Sequence, residues 1–459
     1  MTAVPASIFR AYDIRGQVGK TLNAEIVKQI GLALGSEAAA RGEHTLVVAR
    51  DGRISGPDML AALKEGLIET GCDVIDIGQV PTPTLYYAAK TLAGTQSGIM
   101  VTGSHNPPDY NGFKCVLAGE TLSGEAISDL YRRITEQDFK RGEGFEKSKD
   151  MRQDYLSAIL ESVQLQRPLK VVVDTGNGVA GELAPRLMQE LGCEVIPLFT
   201  EIDGTFPNHH PDPGKPENLQ DLIAEVKEQK ADLGLGFDGD GDRVGVITPS
   251  GRLIYPDHLM MAFAEDLLER HPGARIIYDV KCTGKLGDVI TQAGGKAEMY
   301  RTGHSLIKAR MKESGALLAG EMSGHIFFQE RWLGFDDGLY AAARLLEILA
   351  RQDQDADQFF DRYPQNISTP EINITVTDEN KFALVERLAN EGEFGDGQKT
   401  TLDGIRVDYE DGWGLCRASN TTPMLVLRFE GQTQEALDRI AGRFRESLQK
   451  IDSSLNLEF

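Results

Sequence analysis

The sequence has few cysteines and no long apolar run, and both absences narrow the class of protein. Its five cysteines, which form no CxxC pair, are Cys72, Cys115, Cys193, Cys282 and Cys416. An odd number without disulfide or metal-ligand spacing indicates a reducing compartment, with each cysteine a small buried side chain. No stretch approaches the ~20 apolar residues that cross a bilayer, and the N-terminus lacks the apolar segment of a signal peptide. A cytoplasmic protein with no membrane partner is therefore predicted.

Basic residues are also scarce, with 48 Lys and Arg against 70 Asp and Glu and a formal net charge of −22. Nucleic-acid binding needs a clustered positive footprint, so the balance argues against a nucleic-acid partner. A small anionic substrate stays compatible, because it responds to a local pocket rather than to net charge. At roughly 100–200 residues per domain, a chain of 459 residues predicts three or four domains.

One pattern occurs three times: an apolar strand, a helix, a glycine that ends the helix, and a second strand. The first strands cover 45–51, 169–174 and 275–280, with Asp51, Asp174 and Asp279 near their ends, and the glycines are Gly71, Gly192 and Gly294. Glycine is favoured there because it adopts the left-handed conformation at low cost. Continuous Val, Ile and Leu strands joined by helices indicate mostly parallel sheets. The order and spacing favour a triplication over chance similarity among α/β units.

A third apolar strand follows each copy and runs into a polar loop. The three loops are SGIMVTGSHNP with Ser104 and His105, ADLGLGFDGDGDR with Asp238, Asp240, Asp242 and Arg243, and GALLAGEMSGH with Glu321, Ser323 and His325. Ligands of parallel α/β sheets bind at the carboxyl ends of strands. The three loops are therefore expected to line one shared cleft.

We predict an α/β fold of three similar mixed α/β domains, with mostly parallel sheets flanked by helices, and a smaller C-terminal α+β domain around a central cleft. The predicted domains cover residues 1–150, 151–252, 253–365 and 366–459. In the last domain, 369–376 and 423–430 are predicted strands. Its terminal helix is capped by Thr433 and presents one apolar face, formed by Leu437, Ile440, Phe444 and Leu448.

The segment DGDGDR (238–243) is the strongest chemical signal in the sequence. Aspartates at i, i+2 and i+4 offer three hard oxygen ligands to one divalent cation. An EF-hand is excluded, because its sixth position would be Arg243 instead of glycine and its twelfth Pro249 instead of glutamate. Three carboxylates after an apolar strand repel one another without a cation, which favours a metal site over a solvated acidic turn. Mg²⁺ is preferred if a phosphoryl oxygen completes its ligands.

Ser104 fits neither of two common phosphate or nucleophile motifs. A G-x-S-x-G elbow needs glycine where Thr102 and Asn106 stand, and no GK[ST] follows to form a P-loop. The residues alone leave Ser104 open between a nucleophile and a turn serine. With Lys114 on the same segment and a cation loop nearby, its hydroxyl would suit phosphoryl transfer.

Other loops also keep two interpretations. DTGNGVAG (174–181) contains G-x-G-x-x-G, so a nicotinamide-binding turn stands beside a tight structural turn. RASNTTP (417–423) offers Arg417 for bidentate phosphate recognition, or forms a capped turn. His304, Tyr12 and Arg15 are as compatible with structural roles as with catalysis.

Together FRAYDIRG, TGSHNP, DGDGDR, GEMSGH and RASNTTP make the chain resemble the α-D-phosphohexomutase superfamily over nearly its whole length. The resemblance implies reversible phosphoryl transfer between the 1- and 6-positions of glucose and mannose phosphates. It implies a phosphoserine at Ser104, a hexose 1,6-bisphosphate as intermediate and activator, and one Mg²⁺ per chain held by Ser104, Asp238, Asp240 and Asp242. A monomer is expected, with a dimer as the alternative.

The resemblance also assigns roles to further residues. The catalytic set implied is Ser104, His105, Lys114, Arg243, His304 and Arg15, with Lys114 and His304 as candidates for proton transfer. The substrate-binding set implied is Tyr12, Lys281, Gly303, Glu321, Ser323, His325, Arg417, Ser419, Asn420 and Thr421. Alternative functions are a phosphoglucosamine mutase, a Mg²⁺-dependent sugar-phosphate phosphatase, a nicotinamide-dependent oxidoreductase and a non-catalytic sugar-phosphate sensor.

Overall fold

The computed structural model describes residues 3–420 and 422–459, which form four sheets flanked by helices. The first sheet contains β1 (Ile14–Gln17), β2 (Thr45–Arg50), β3 (Asp73–Gln79), β4 (Gly98–Val101), β5 (Tyr110–Leu117), β6 (Glu120–Thr121) and β7 (Glu146–Ser148). Its helices are α1 (Ala24–Ala40), α2 (Gly56–Ile68), α3 (Thr82–Thr91) and α4 (Glu125–Glu136). The strand order is β1-β5-β4-β2-β3-β7, with β6 paired to β5.

The second and third sheets follow in the chain. The second has α5 (Arg152–Ser162), β8 (Lys170–Asp174), α6 (Leu183–Glu190), β9 (Glu194–Leu198), α7 (Gln220–Gln229), β10 (Leu233–Phe237), β11 (Val244–Ile247) and β12 (Leu253–Ile254). The third has α8 (Pro256–Arg270), β13 (Arg275–Asp279), α9 (Gly284–Gln292), β14 (Lys296–Tyr300), α10 (His304–Ser314), β15 (Leu318–Gly320), β16 (Ile326–Phe328), α11 (Gly338–Ala350) and α12 (Ala356–Asp361). Their orders are β12-β11-β10-β8-β9 and β14-β13-β15-β16.

The three sheets share one core arrangement. In each, the first strand of the predicted pattern pairs in parallel with the two strands that follow it, as β3-β2-β4, β9-β8-β10 and β14-β13-β15. The next strand in the chain (β5, β11 or β16) then pairs antiparallel with the third one. Gly71, Gly192 and Gly294 have φ values of 88°, 96° and 84°, the left-handed conformation that glycine adopts cheaply. The predicted architecture of the three units is confirmed.

The C-terminal unit is the predicted α+β domain. It contains β17 (Ile367–Ser368), β18 (Ile372–Thr375), α13 (Lys381–Glu391), β19 (Gln398–Thr400), β20 (Ile405–Tyr409), β21 (Gly412–Ala418), β22 (Met424–Gly431) and α14 (Gln434–Ile451). The Thr433 side chain accepts from the Ala436 backbone N–H at 3.2 Å, so it caps α14 as predicted. The four predicted apolar side chains of α14 lie in the core of this domain.

Apolar packing joins the first three units more tightly than the fourth. One continuous cluster runs through the first three sheets, from Val47 in β2 through Val171 in β8 to Ile276 in β13. The fourth unit has its own core and meets the third through a small cluster around Val280 and Trp413. The five cysteines are buried and unpaired, as predicted. Among the helices in the described ranges, none has both the length and the apolar character to cross a membrane.

Candidate active site

The loops that follow β4, β10 and β15, each at the carboxyl end of a strand in a different sheet, meet one another. Ser104, after β4, donates its hydroxyl hydrogen to Asp238 Oδ2, after β10, at 3.2 Å. Arg243, at the end of the second loop, donates from Nη1 to the carbonyl oxygen of Ser323 in the third loop at 3.2 Å. Arg243 also forms an isolated antiparallel bridge with His325. The expected shared cleft is therefore formed by residues from three units.

Ser104 is held in a backbone conformation that is rare for a residue with a side chain. Its φ is 49°, in the left-handed region, where a non-glycine residue costs about 1–3 kcal/mol unless its surroundings fix it. The Ser104 N–H donates to Thr102 Oγ1 at 2.7 Å, and the Ser104 hydroxyl lies 3.2 Å from His105 Nδ1. Such strain is typical of functional loops, because it presents a side chain that an ordinary turn would not.

The three aspartates of the second loop form a buried acidic cluster. Asp238, Asp240 and Asp242 are all fully buried, and one carboxylate oxygen from each lies within 4.8 Å of the others. The Oδ1 atoms of Asp240 and Asp242 have no hydrogen-bond partner within the described ranges. Buried carboxylate oxygens without donors are costly unless a cation pairs with them. The donor set therefore fits a hard divalent cation.

Two basic residues reach into the same cluster. Lys114 Nζ lies 2.7 Å from Asp240 Oδ2 and also donates to Asp242. Arg243 Nε donates to Asp238 Oδ2 at 3.1 Å, and Nη1 lies 3.3 Å from Asp212. Burial disfavours their charged forms, but the surrounding carboxylates outweigh it and raise the pKa values of Lys114 and Arg243. Both side chains therefore stay charged at neutral pH.

The charges of the aspartates are unequal. Burial, which outweighs the nearby Arg243, raises the pKa of Asp238 to about 7. Burial and the neighbouring Asp240 likewise raise the pKa of Asp242. Burial opposes ionisation of Asp240 as well, but Lys114 outweighs it and lowers the pKa of Asp240. Without a bound cation, this concentration of negative charge is only partly neutralised.

Two stacked histidines lie beside the cluster. The ring centroids of His304 and His325 are 5.5 Å apart. Asp336 lies 3.1 Å from His325 Nδ1 and 3.8 Å from His304 Nδ1, and it accepts from Lys308 Nζ at 2.9 Å. Burial and the charge of Lys308 lower the pKa of His304, whereas Asp242 and Asp336 outweigh burial and raise the pKa of His325. Burial and the charge of Arg243 lower the pKa of His105.

A second group of predicted residues lies where the first, third and fourth units meet. The Tyr12 hydroxyl donates to the carbonyl oxygen of Thr302 at 2.9 Å and hydrogen-bonds with Asn420. A Cβ atom on Gly303, whose φ is 139°, would lie 2.8 Å from the Tyr12 ring. The Gly303 N–H donates to Glu321, and burial raises the pKa of that carboxyl to about 7.

Basic side chains of this second group are paired with acidic ones. Arg417 Nε donates to Asp403 at 3.1 Å, and Lys281 Nζ donates to Glu371 at 2.7 Å. Ser419 Oγ accepts from the Thr422 backbone and hydroxyl groups. Arg15 pairs with Asp13. Thr421 lies outside the described residues.

Several residues that contact the site were not singled out in the sequence. Asp336, Asp212 and Thr82 lie on segments with no recognised motif, although Asp336 follows β16 and Asp212 precedes α7. The Thr82 hydroxyl donates to Asp240 Oδ2 at 2.5 Å, and its backbone N–H donates to the Asp240 carbonyl oxygen at 2.9 Å. Polar residues stand at the ends of many strands and helices. The sequence alone therefore does not identify these three as site residues, and the tertiary contacts do.

The glycine-rich turn after β8 supports the acidic loop. The Asp174 carboxylate accepts from the Gly176 N–H at 2.8 Å and lies 2.9 Å from His209 Nε2. The Val179 N–H donates to the carbonyl oxygen of Gly239, between two of the aspartates, at 3.1 Å. The polar groups of the turn therefore bond within the protein. This agrees with the interpretation of 174–181 as a tight structural turn.

Family models match most of the chain in four consecutive parts. They are described as the alpha/beta/alpha domains I, II and III and the C-terminal domain of phosphoglucomutase/phosphomannomutase, and they match residues 6–141, 153–251, 255–366 and 371–447.

Individual proteins are similar over nearly their full length. A phosphomannomutase/phosphoglucomutase of Pseudomonas aeruginosa is 60% identical over 99% of this chain and 98% of its own. A phosphoglucomutase of Neisseria gonorrhoeae is 51% identical over 98% of both chains. The crystal structure of a phosphoglucomutase/phosphomannomutase family protein of Burkholderia thailandensis superposes with a TM-score of 0.96, at 52% identity, over all of both chains.

Proposed function

Since the chain belongs to the phosphoglucomutase/phosphomannomutase family, we propose that Ser104 is the residue that carries the phosphoryl group in its reaction. The protein is an enzyme that moves a phosphoryl group reversibly between the 1- and 6-positions of hexose phosphates. The observation that carries the assignment is the 3.2 Å contact between the Ser104 hydroxyl and Asp238 Oδ2, beside two buried carboxylate oxygens without donors. A hydroxyl so placed beside a cation site is suited to phosphoryl transfer.

One Mg²⁺ is the proposed cofactor, held by Asp238, Asp240, Asp242 and an oxygen of the phosphorylated Ser104. Hard oxygen donors match this ion, which retains ligand positions for phosphoryl oxygens. When bound, it neutralises charge that develops on the transferred group. Arg243 and Lys114 remain charged and add further positive groups beside the same oxygens.

Each half-reaction exchanges one phosphate ester for another. The bond between phosphorus and the Ser104 oxygen breaks, and a bond to the free hydroxyl oxygen of the hexose phosphate forms. The resulting hexose 1,6-bisphosphate turns over in the cleft and returns its other phosphoryl group to Ser104. The proton of the attacking hydroxyl needs an acceptor, and we assign this role to His304, which stacks on His325 and whose pKa is lowered by burial and by Lys308. Lys114 is unsuited to it because its pKa is raised.

The second group of residues is proposed to hold the end of the sugar that is not reacting. Arg417, Ser419, Asn420 and Lys281 would bind the distal phosphate, and Glu321 and Ser323 the sugar hydroxyls. Arginine suits this role because its fork binds phosphate bidentately. The proposed contribution of Tyr12 and Gly303 is to shape this end of the cleft. His105, beside the Ser104 hydroxyl, and Arg15 are proposed to stabilise the serine loop.

Three wider assignments are proposals of the same kind. The proposed domain boundaries at 150 and 365 lie in connections between two sheets, whereas the boundary at 252 lies in the loop between β11 and β12 of the second sheet. A monomer is the proposed state, because one chain supplies every proposed site residue; sedimentation would distinguish it from a dimer. A cytoplasmic location accords with five unpaired buried cysteines.

The experiment that tests the proposal replaces the serine. Ser104→Ala should remove both the phosphoprotein and nearly all mutase activity, while Ser97→Ala, at another buried serine of the same unit, should retain both. Wild-type turnover by Ser104→Ala would place the phosphate carrier elsewhere. A coupled assay with the 1-phosphates of glucose, mannose and glucosamine, each with a trace of bisphosphate, gives the substrate preference. Release of inorganic phosphate instead of isomerisation would identify a phosphatase.

A further inference from the structure

Arg53 is a buried arginine directly beneath the loop that carries Ser104. Its side chain is completely buried, and each of its nitrogen atoms has a partner within the protein. Nη2 donates to the carbonyl oxygens of Ser104 and Asn106 at 2.8 and 2.7 Å, and Nη1 donates to those of Pro107 and Tyr110 at 2.5 and 2.9 Å. Since a guanidinium group has five N–H donors, these four bonds and one to Asp51 use all of them.

Asp51 extends the same network to the other side of the loop. It lies 3.3 Å from Arg53 Nε, accepts from the Thr102 hydroxyl at 2.8 Å, and accepts from the Gly103 N–H at 3.2 Å. Thr102 Oγ1 in turn accepts from the Ser104 N–H at 2.7 Å. Both the N–H and the carbonyl group of Ser104 are therefore fixed by one buried pair.

Close packing leaves this loop little room to relax. A Cβ atom on Gly103 would lie 2.3 Å from the guanidinium carbon of Arg53, and one on Gly239 would lie 2.3 Å from the Ser104 carbonyl oxygen. The ring of Phe206, from the second unit, lies with its centroid 5.3 Å from the Arg53 guanidinium carbon. The left-handed φ of Ser104 is thus held from below by Arg53 and from above by the acidic loop.

We propose that Arg53 is a positioning residue that holds the Ser104 backbone in its left-handed conformation, so that the hydroxyl faces Asp238. This inference rests on the proposed role of Ser104 as phosphate carrier. Arg53 has no donor left for the substrate, so its loss affects the reaction through Ser104 rather than through substrate binding. A lysine cannot replace it, because one ammonium group does not reach four carbonyl oxygens in the plane of a fork.

The test compares Arg53→Lys with Arg344→Lys, which changes an equally buried arginine of the third unit that pairs with Asp266 and Glu330. We expect Arg53→Lys to lower kcat about 100-fold, with KM for glucose 1-phosphate within about twofold of wild type. Phosphorylation of Ser104 by glucose 1,6-bisphosphate should slow by the same factor. Arg344→Lys should lower the melting temperature similarly and leave kcat within about threefold. A folded Arg53→Lys enzyme with wild-type kcat, or with a raised KM and unchanged kcat, would overturn the proposal.

A second variant keeps the test decisive if Arg53→Lys does not fold. Thr102→Val removes the acceptor for the Ser104 N–H with little change of volume, and it should also lower kcat at unchanged KM. Unchanged kcat in this variant would overturn the proposal as well. Ser104→Ala separates the two levels of inference: activity in that variant refutes the proposed carrier, whereas its inactivity together with an active Arg53→Lys refutes only the role of Arg53.

Discussion

Thr82 in the first unit donates its hydroxyl hydrogen to Asp240 in the second, at 2.5 Å, and thereby links the start of α3 to the acidic loop. A second bond, from the Thr82 backbone N–H to the Asp240 carbonyl oxygen at 2.9 Å, fixes the same residue. Groups that orient metal ligands typically change metal affinity by 10–100-fold. The proposed cation site therefore depends on an element outside the loop that would supply its ligands.

We predict that Thr82→Val weakens Mg²⁺ binding about 10-fold, because Asp240 Oδ2 loses one of its two donors and keeps only Lys114. Isothermal titration with Mg²⁺ measures this directly. The matched control is Thr84→Val, since Thr84 is as buried but its hydroxyl has no hydrogen-bond partner within the described ranges. Equal Mg²⁺ affinity in the two variants would show that Thr82 has no role in orienting the ligand.

The convergence of the three loops could be predicted from the sequence, whereas contacts such as that of Thr82 could not. Apolar strands and glycine stops indicate mostly parallel sheets, ligands of such sheets bind at the carboxyl ends of strands, and three similar units place their loops at equivalent positions. Ser104 and Asp238 were therefore expected to lie together. Thr82 and Asp240 are adjacent only because the first and second units pack at one particular angle, which no local pattern encodes.

Arg53 illustrates the same limit for a charged residue. In the sequence, Arg53 ends an Asp-Gly-Arg turn that follows β2, and arginine in such a turn is mostly exposed. Its burial follows from four carbonyl oxygens that the loop of Ser104 brings above it. Backbone acceptors carry no side-chain signature, so the residue types around Arg53 do not indicate the contact.

Glu321 gives a prediction for the pH dependence of stability. Burial raises its pKa in the folded protein to about 7, above the value of about 4.3 in an unfolded chain. Between these values the folded state binds more protons, so this group lowers stability as the pH rises toward 7. Glu321→Gln should therefore raise the melting temperature at pH 8 but not at pH 4, and it should raise KM at pH 8 through loss of a sugar contact.

Glu330 is the control, because its pKa is shifted in the opposite direction to that of Glu321. Burial disfavours the charged form of Glu330, but Arg344 and Arg270 outweigh it and lower the pKa of that carboxyl. Such a group stabilises the folded state above its unfolded pKa, so Glu330→Gln should lower the melting temperature at pH 8. Calorimetry of both variants at pH 4 and pH 8 is the measurement. A lower melting temperature for Glu321→Gln at pH 8 would contradict the assigned charge state.

We expect substitutions of Lys281 and Glu371 to have opposite effects on substrate affinity. Lys281 Nζ donates to Glu371 at 2.7 Å, and the lysine lowers the pKa of that carboxyl. A phosphate at the proposed distal site competes with Glu371 for the same ammonium group. Lys281→Ala should raise KM about 10–100-fold, the range of a hydrogen bond to a charged group, while Glu371→Gln should lower it. Steady-state kinetics with glucose 1-phosphate tests both, and a rise in KM for Glu371→Gln would refute the competition.

Asp336 lies between the stacked histidines and Lys308. Asp336→Asn removes the charge that faces His325 Nδ1 at 3.1 Å and should lower kcat about 100-fold, the lower range of positioned acid–base catalysis. Asp337→Asn is the control in the adjacent, equally buried position, where burial raises the pKa of the carboxyl to about 7. Single-turnover transfer from phosphorylated Ser104 should be slow only in Asp336→Asn. Equal rates in the two variants would exclude Asp336 from the proton-transfer machinery.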